Sequence, residues 1–471
     1  MGMDAQHEPQ TQRHVVLFPF HEQSHVTPIF ALARALALRG LEVTCALPAS
    51  RFASYSKRAA STDGRGALFR VEVVAEVETL MSADTQMDFH MLNKKVEEGL
   101  EQLMQRLHPA PTCLISDLLY PWSQELADRL SIPRFEFSPY PATSYMIGCN
   151  LPHLVQKGLL PFQADMKHEV IDSIPGLLKG FQVGDIPMDF LARTAKELEI
   201  IASLHNSRKG GGLVINTSYA LEAETLDALA ADGLSIYPVG PMFTIDWTSN
   251  TVHRDSSLYS EDEECLRWLD SQPTGSVVYA SFGSIISLTE EDIQELALGL
   301  EASGQPFLWV IRSAANEADP TSLLPTGFVE RNKGRGCIIS WAPQTAVLSH
   351  PSVGCFLCHC GYGSILEALW TGVPMLGGFY KISDQNTNFK LITDGWGVAM
   401  PLVRGDRDVD GKVQPLRCSI EEGIKELMHG PDGARIKQNC AQMKAALREA
   451  VAPTGSSQRS LDQLAKAISN K

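Results

Sequence analysis

The chain has 471 residues, of which 44% are apolar and 20% charged, and its formal net charge is −15. That length exceeds what a single hydrophobic core supports, so two domains are expected. The excess of acidic residues disfavours nucleic acid and anionic membranes as partners.

The sequence predicts neither export nor a membrane span. The first 14 residues are polar, the apolar run VVLFPF that follows is short, and Gln6 replaces the Ser or Thr of a myristoylation signal. No run of about 18 apolar residues occurs anywhere. The ten cysteines are scattered along the chain. We therefore expect a cytoplasmic protein with reduced thiols.

The chain begins with a βαβ pattern. Residues 14–20 form an apolar run that predicts a buried strand, and the loop HEQSH follows it. Thr27 is a plausible helix N-cap and Pro28 suits the first helical position. Gly40 ends this helix, and residues 41–48 predict the next strand. The loop after the first strand lies where open α/β sheets place their chemistry.

The remainder of the first half continues the alternation of helices and strands. Helices are predicted at 91–107, 121–130 and 195–207, and strands at 112–117, 132–138, 213–218 and 235–243. The segment 151–195 is interrupted by Pro and Gly, and we expect it to wall a binding cleft.

The second half restarts the pattern after a polar stretch at 246–257. Thr289 and Gly304 predict the two ends of one helix. Helices are predicted at 265–272, 289–304, 419–428, 433–451 and 460–470, and strands at 276–284, 306–312 and 337–343. We expect an α/β fold of two doubly wound domains facing across a cleft. The expected boundaries are 1–245, a linker at 246–262, 263–450, and a C-terminal helix within 451–471 that packs back on the first domain.

The stretch from Trp341 to Gln385 carries the strongest local pattern. The apolar run VGCFL predicts a strand, the turn HCGYGS follows, and SILEALW predicts a helix ended by Gly372. A strand that leads through a glycine-rich turn into a helix presents backbone N–H groups to a phosphate. The sequence therefore predicts an anion site at this turn.

This stretch resembles the signature box of the plant family 1 UDP-sugar glycosyltransferases, which have the GT-B fold. The matching residues are Trp341-Ala342-Pro343-Gln344, His350-Pro351, His359-Cys360-Gly361, Ser364, Glu367, Gly372-Val373-Pro374 and Asp384-Gln385. The segments LFPFHEQSHVTP, CLISDLLYPW and VVYASFGS are similar to further motifs of that family, so the likeness extends along most of the chain.

The resemblance implies a UDP-sugar site with no metal and no cofactor beyond this co-substrate. Trp341 would stack on uracil, Gln344 would contact base or ribose, and Glu367 would bind the ribose hydroxyls. The diphosphate would be held at the helix N-terminus, and Asp384 with Gln385 would bind the sugar, the terminal Gln resembling glucose-using members. The implied donor residues are Ser284, Trp341, Ala342, Gln344, His359, Gly361, Tyr362, Gly363, Ser364, Glu367, Asp384 and Gln385.

On the acceptor side, the resemblance assigns catalysis to His25, oriented by Asp117. A hydroxyl attacks an anomeric carbon only when its proton is taken, and a histidine supported by a carboxylate can take it. His21 is a competing candidate for the base, and Asp117 could instead cap the following helix. Phe20, His21 and Tyr380 are the expected acceptor contacts. A single displacement would invert the anomeric carbon.

Other interpretations of these motifs are weaker. Cys355-x-x-Cys358-His359 also matches a c-type haem attachment signature, and with Cys360 it could be drawn as a zinc site. Both need a setting that a buried strand without an export signal does not provide. A nicotinamide-dependent oxidoreductase lacks support because no G-x-G-x-x-G follows the first strand.

Three departures from the family pattern bear on the donor. Tyr362-Gly363 replaces the usual Trp-Asn pair, the segment 377–383 is one residue longer than usual and lacks an expected Trp, and Ser24 replaces a Gly. We expect a monomeric glucosyltransferase of plant secondary metabolism that acts on a lipophilic acceptor such as a flavonoid. A protein that binds nucleotide sugar or aglycone without turnover, or one that uses UDP-rhamnose, UDP-xylose or UDP-galactose, is the alternative.

Overall fold

The structure is a computed structural model. It describes residues 13–48, 69–74, 86–204, 210–243, 245–246, 251–252, 264–283, 288–311, 320–378, 382–402 and 416–470. Within these ranges the chain forms two parallel sheets covered by helices, which confirms the predicted α/β class with two doubly wound units. In the described part of the chain no helix is both long and apolar enough to cross a bilayer.

The first half, which we call the acceptor half after the role expected from the sequence, is built on a seven-stranded parallel sheet in the order β3-β2-β1-β4-β5-β6-β7. Its strands are β1 His14–Phe18, β2 Glu42–Pro48, β3 Arg70–Val74, β4 Cys113–Asp117, β5 Arg134–Ser138, β6 Gly212–Ile215 and β7 Ile236–Pro238. Its helices are α1 Gln23–Ala37, α2 Gln86–Arg106, α3 Ser123–Arg129, α4 Ala142–Cys149, α5 Leu151–Gln156, α6 Met188–Leu191, α7 Ala195–Leu204 and α8 Tyr219–Ala231.

The first strand shows why this sheet is buried on both faces. Val15 and Leu17 pack with α1 on one face, while Val16 and Phe18 join the cluster that contains α2 and α3 on the other. All four side chains are fully buried. A strand that is apolar at every position fits a parallel sheet with helices on both sides.

The second half, the donor half, follows a short antiparallel pair, β8 Ile245–Asp246 and β9 Thr251–Val252, within the predicted linker region. Its six-stranded parallel sheet has the order β12-β11-β10-β13-β14-β15. The strands are β10 Val277–Ser281, β11 Phe307–Val310, β12 Gly336–Ile339, β13 Val353–Cys358, β14 Met375–Gly377 and β15 Ala399–Pro401. The helices are α9 Glu264–Asp270, α10 Glu290–Ser303, α11 Phe328–Arg331, α12 Gln344–Ser349, α13 Tyr362–Thr371, α14 Gln385–Lys390, α15 Leu416–His429, α16 Pro431–Ala450 and α17 Ser456–Ser469.

Three predicted helix ends are confirmed in detail. The Thr289 side chain caps α10 by accepting from the Asp292 backbone N–H, and Gly304 ends that helix in the left-handed conformation. Gly372 ends α13 in the same way, at φ 81°. Glycine adopts this conformation without the steric cost of a Cβ.

The start of α1 differs from the prediction. The helix begins at Gln23 rather than after Thr27, and Pro28 lies inside it. Thr27 is not an N-cap, since its hydroxyl accepts a bond from the Gln23 side chain at 2.7 Å. A proline near the start of a helix forgoes few intrahelical bonds, because the first backbone N–H groups have no partner within the helix. The loop HEQSH is therefore largely helical.

The two halves contact each other through hydrogen bonds as well as apolar packing. The side chains of Asn386 and Thr387 on α14 donate to the backbone oxygens of Gly184 and Asp185, at 3.0 and 2.6 Å. The segment 151–195, which was expected to wall a cleft, thus provides a docking surface for the donor half.

The last helix of the chain, α17, packs on the acceptor half. Helix α17 places Leu461, Leu464 and Ile468, all fully buried, in the apolar cluster formed by β1, β2 and α1. Arg39 at the end of α1 binds the Asp462 carboxylate at 2.8 Å. The final helix is part of the core of the half that begins the chain.

Both sheets reverse their strand order at the same relative place, between β1 and β4 and between β10 and β13. In open α/β sheets the crevice beyond the carboxyl ends at such a point is where ligands bind. The residues that follow these four strands are therefore the first place to look for a site.

Candidate functional site

A cavity of about 260 Å³ lies between the carboxyl ends of the two sheets. Both halves contribute to its wall. From the acceptor half these residues are Gln23, Ser24, His25, Thr27, Pro28, Pro139, Tyr140, Asn216, Met242 and Phe243; from the donor half they include Tyr279, Ser281, Gly283, Trp341, Ala342, Gln344, His359, Gly361, Tyr362, Gly363, Ser364, Glu367, Asp384 and Gln385. Among the described residues, none of segment 151–195 lines this cavity.

His25 and Asp117 form a buried pair on the acceptor side of the cavity. The distance from His25 Nδ1 to Asp117 Oδ2 is 2.7 Å, and both side chains are almost fully buried. A carboxylate only accepts hydrogen bonds, so Nδ1 carries the proton and Nε2 carries the lone pair. This arrangement sets the tautomer that a general base needs.

The second Asp117 oxygen binds the backbone. Oδ1 accepts from the Leu119 N–H at 3.0 Å, and the next helix, α3, begins only at Ser123. Asp117 thus fixes the turn after β4 while it binds His25, and it does not cap the helix.

His25 lies in the first turn of α1, and not in the loop before it as expected. Its backbone N–H bonds to the Glu22 oxygen at 3.0 Å. A side chain on a helix is held more firmly than one on a loop, so the imidazole position is set by α1 and Asp117 together. His21, the competing candidate, is outside the cavity wall and pairs with Glu22 at 3.3 Å.

Aromatic rings surround the imidazole. Phe20 packs edge-on against His25 at 5.3 Å between ring centroids, and Tyr140 does so at 5.5 Å and 85°. The Tyr140 hydroxyl is 3.4 Å from His25 Nε2. Phe20 supports the base from behind, whereas Tyr140 lies on the wall of the cavity.

On the donor side, Gln344 joins the starts of helices α12 and α13. Its side-chain N–H group donates to Ser364 Oγ at 2.9 Å and to Glu367 Oε2 at 2.6 Å, and its carbonyl accepts from the Tyr279 hydroxyl at 3.2 Å. Thr345 donates to the other Glu367 oxygen at 2.9 Å. Both Glu367 oxygens are therefore held in place, and the carboxylate can still accept from a ligand through its remaining lone pairs.

Trp341 and Ala342 follow strand β12 directly and lie on the cavity wall. The indole is half-buried, whereas Ala342 is only 7% exposed. An aromatic face that is partly open to a cavity provides a surface for a flat ring to stack on.

The predicted anion turn follows strand β13. Helix α13 begins at Tyr362 with Gly361 before it, so its first N–H groups point toward the cavity wall. The His359 ring lies directly against Gly283 and Gly361: a Cβ at Gly283 would stand 2.5 Å from its Nε2, and one at Gly361 would clash with the same atom. Glycine at both positions lets this imidazole lie flat beside the helix N-terminus, where an anion is favoured.

Tyr362 is oriented toward the other half of the molecule. Its buried hydroxyl donates to Thr217 Oγ1 at 2.8 Å, and Thr217 in turn donates to Glu222 Oε2 at 2.6 Å. Glu222 also accepts from the backbone N–H groups of Ala142 and Thr143, at 2.9 and 2.8 Å. We call this chain the Tyr362 link; it connects the N-termini of α13 and α4 across the two halves.

Asp384 and Gln385 lie at the start of α14 and are both buried. Burial raises the pKa of Asp384 to about 7, and the negative charge of Asp189 adds to that effect. Within the described residues, Asp384 Oδ2 has no hydrogen-bond partner. A buried, unpaired carboxylate oxygen on a cavity wall is suited to accept a hydrogen bond from a ligand hydroxyl group.

The structure also places on the cavity wall two residues that the motifs did not single out. Tyr140 follows the end of β5 by two residues, so the carboxyl-edge rule could have found it. Tyr279 lies within β10, where its polar contact with Gln344 has no signature in the sequence. Two predicted site residues, Ser284 and Tyr380, lie outside the described residues.

The cysteines of the box are structural. Cys355, Cys358 and Cys360 are fully buried, and burial raises the pKa of the Cys355 and Cys360 thiols. Among the described residues, no group of three His, Cys, Asp or Glu side chains could hold a metal ion. The zinc interpretation of this segment is therefore not supported.

Comparisons with known proteins agree with the geometry. Residues 237–404 match the family described as UDP-glucoronosyl and UDP-glucosyl transferase. The chain is 30% identical to UDP-glycosyltransferase 86A1 of Arabidopsis thaliana, over 97% of this chain and 95% of that protein. It is also 30% identical to (R)-mandelonitrile beta-glucosyltransferase of Prunus dulcis, over 97% of each.

Solved structures are also similar to this chain. The UGT2 protein of Phytolacca americana, complexed with UDP-2-fluoro-glucose and pterostilbene, superposes with a TM-score of 0.79 at 26% identity. The match covers 97% of this chain and all of that one. This chain therefore shares its two-sheet architecture with that protein.

Proposed function

The chain belongs to the UDP-glycosyltransferase family, and we propose that it transfers glucose from UDP-glucose to a hydroxyl of a small lipophilic acceptor, such as a flavonoid or another phenol. It is a glycosyltransferase that uses a UDP-sugar and acts on small molecules. The proposal adds the sugar, the acceptor class, the roles of individual residues and inversion at the anomeric carbon.

One observation carries the proposal: the His25–Asp117 pair and the Gln344–Glu367 network face the same cavity from opposite halves. A base and a donor site that share one cavity can bring an acceptor hydroxyl to an anomeric carbon. Positioning of two reactants in this way lowers the entropic part of the barrier.

The donor half fits a uridine diphosphate in a definite orientation. Trp341 would stack on uracil, and the Glu367 carboxylate would accept from ribose hydroxyls. The diphosphate would lie at the N-terminus of α13 beside His359 and Ser364, where the helix dipole supplies about half a positive charge. The same groups would stabilise the negative charge that develops on the departing UDP.

His25 would act as the general base. Its Nε2 takes the proton of the acceptor hydroxyl as the oxygen attacks the anomeric carbon, and the bond from that carbon to the β-phosphate oxygen breaks. Asp117 stabilises the imidazolium that results, and base catalysis of this kind contributes about 10²- to 10⁴-fold. One displacement from the opposite face inverts the configuration.

Asp384 and Gln385 support glucose as the sugar, because their carboxylate and amide oxygens can accept hydrogen bonds from its equatorial hydroxyl groups. The Prunus dulcis relative is named a glucosyltransferase, and the Phytolacca americana structure holds a glucose analogue together with a stilbene. Pro139, Met242 and Phe243 give the acceptor side of the cavity an apolar wall. Such a wall favours a flat, lipophilic molecule over a sugar acceptor.

A panel assay tests the proposal. The purified protein is mixed with UDP-glucose, UDP-galactose, UDP-xylose or UDP-rhamnose and with a flavonol or a terpene alcohol, and UDP release and product mass are recorded. We expect product with UDP-glucose and the flavonol. His25→Ala and Asp117→Asn should lower kcat at least a hundredfold, while the exposed His429→Ala, far from the cavity wall, serves as the matched control.

Three outcomes would contradict the proposal. Faster transfer from another UDP-sugar would refute the assignment of glucose. Full activity of His25→Ala would refute the role of the base. Tight UDP-glucose binding without product from any acceptor would indicate a binding protein, an alternative that the named relatives do not favour.

A further inference from the structure

The His25 nitrogen that does not bind Asp117, Nε2, does not face an empty part of the cavity. The Tyr140 hydroxyl is 3.4 Å from Nε2, and the two rings are perpendicular. Because Nδ1 donates to Asp117, Nε2 can only accept, so Tyr140 is the donor in this contact. An acceptor hydroxyl needs the same lone pair for its own proton. Tyr140 therefore occupies the place that the reacting hydroxyl has to take.

The donor half holds this hydroxyl from the other side. The Ser383 hydroxyl donates to the Tyr140 oxygen, while the Ser383 backbone N–H donates to the Asp189 carboxylate. The Ser383 backbone oxygen accepts from the Met188 N–H at 2.7 Å. Ser383 adopts φ 56°, a left-handed conformation that costs a non-glycine residue energy and persists only where contacts hold it. A chain of two hydroxyls thus runs from the sugar-binding loop to His25.

The surroundings keep Tyr140 in its protonated form. Burial raises the pKa of Tyr140 well above its ordinary value, and the carboxylates of Asp384, Asp117 and Asp189 act in the same direction. The tyrosine therefore has a proton to donate at every pH at which the enzyme works.

We propose that Tyr140 covers the proton-accepting nitrogen of His25 while no acceptor is bound, and so suppresses hydrolysis of the sugar donor. The inference rests on the proposed function. In hydrolysis a water oxygen attacks the anomeric carbon, the bond to the β-phosphate oxygen breaks, and the water proton passes to His25 Nε2, giving free sugar and UDP. This reaction needs the same lone pair as transfer does. An acceptor that binds in the apolar part of the cavity displaces the tyrosine hydroxyl, whereas a single water molecule lacks the binding energy to do so.

Tyr140→Phe tests the proposal because it removes the hydroxyl and keeps the ring. The rate of glucose and UDP release from UDP-glucose without acceptor should rise about fivefold, the factor that corresponds to one hydrogen bond. The ratio of hydrolysis to transfer, with transfer measured at a saturating flavonol, should rise by a similar factor, since the acceptor displaces the hydroxyl in any case. Tyr237→Phe is the matched control: Tyr237 is half-buried beside Phe135 and lies away from the cavity wall, and both rates should remain unchanged.

Ser383→Gly provides an independent variant. Glycine adopts φ 56° without strain, so the loop keeps its conformation while the hydroxyl that holds Tyr140 is lost. Hydrolysis should rise here too, by a smaller factor, and the double variant should not exceed Tyr140→Phe. Circular dichroism and thermal melting check that each variant folds.

The outcomes separate the two proposals. No transfer by the unmodified enzyme with any donor and acceptor would refute the proposed function itself. Normal transfer by the unmodified enzyme, with unchanged hydrolysis in folded Tyr140→Phe and Ser383→Gly, would refute only the role of Tyr140. A tenfold loss of transfer in Tyr140→Phe without a rise in hydrolysis would also overturn it, because the hydroxyl would then contact a substrate in the reaction.

Discussion

Replacing Asp384 by asparagine should change the pH dependence of stability in a predictable direction. The carboxyl group is buried beside the cavity, and its pKa is raised from 3.8 to about 7. Asparagine has nearly the same shape and no charge. The variant therefore removes the cost of a buried charge and leaves the packing in place.

The sign and size follow from linkage between protonation and folding. A group whose pKa is raised in the folded state contributes stability that is fully present below about pH 4 and is lost as the pH rises through about 7. With a shift of about three units at about 1.4 kcal/mol each, the full loss is about 4 kcal/mol. Between pH 5 and pH 8 the unmodified protein should lose about 2.6 kcal/mol through this group alone.

Urea unfolding followed by tryptophan fluorescence at pH 5.0 and 8.0 measures the effect. The free energy of unfolding of Asp384→Asn, minus that of the unmodified protein, should be larger at pH 8.0 than at pH 5.0 by about 2–3 kcal/mol, because the variant does not lose stability through this group as the pH rises. Asp394→Asn is the control. Burial acts to raise the Asp394 pKa, but its bonds to Lys390 and Thr393 prevail and the pKa is lowered, so this variant should show a constant difference between the two pH values. An equal difference for Asp384→Asn at both pH values would refute the reasoning.

Two further predictions concern the turn at the start of α13. A Cβ at Gly363 would meet no atom within 4 Å, so Gly363→Asn should fit and raise stability by about 0.3 kcal/mol. It should also lower the KM for UDP-glucose, as measured by kinetics, and a lower melting temperature would show that the site is not open. Tyr362→Phe breaks the Tyr362 link, should cost about 1 kcal/mol of stability, and should lose its effect in a Thr217→Val background; additive losses in this double-mutant cycle would mean that the two hydroxyls do not interact.

Local sequence patterns were enough to predict most helices and strands and the glycine-rich turn on the donor side of the site. Apolar runs gave the strands on which Asp117 and His359 depend, and capping residues such as Thr289 and Gly372 gave helix ends, because these features depend only on neighbours in the sequence. The start of α1 was predicted wrongly because Pro28 suggested a first helical position. In the structure the helix starts at Gln23, and the contact of His25 with Asp117 outweighs the preference of proline for the first helical position.

Contacts between distant parts of the chain were beyond local patterns. Tyr140 meets His25 across 115 positions, and Tyr362 meets Thr217 across 145. No sequence spacing predicts either contact: the first depends on which strands become neighbours in the seven-stranded sheet, and the second on how the two halves face each other. The resemblance to a family supplied the expected roles of His25 and Glu367, but it could not supply a contact made by Tyr362, where this chain departs from the family pattern.

The position of α17 has a consequence for synthesis. The acceptor half is translated first, yet Leu461, Leu464 and Ile468 of its core are translated only after the whole donor half. Until then the apolar face of α1, the helix that carries His25, lacks part of its cover. The donor half, by contrast, can bury its own sheet as soon as α16 has emerged. The half of the molecule that is made first is therefore completed last.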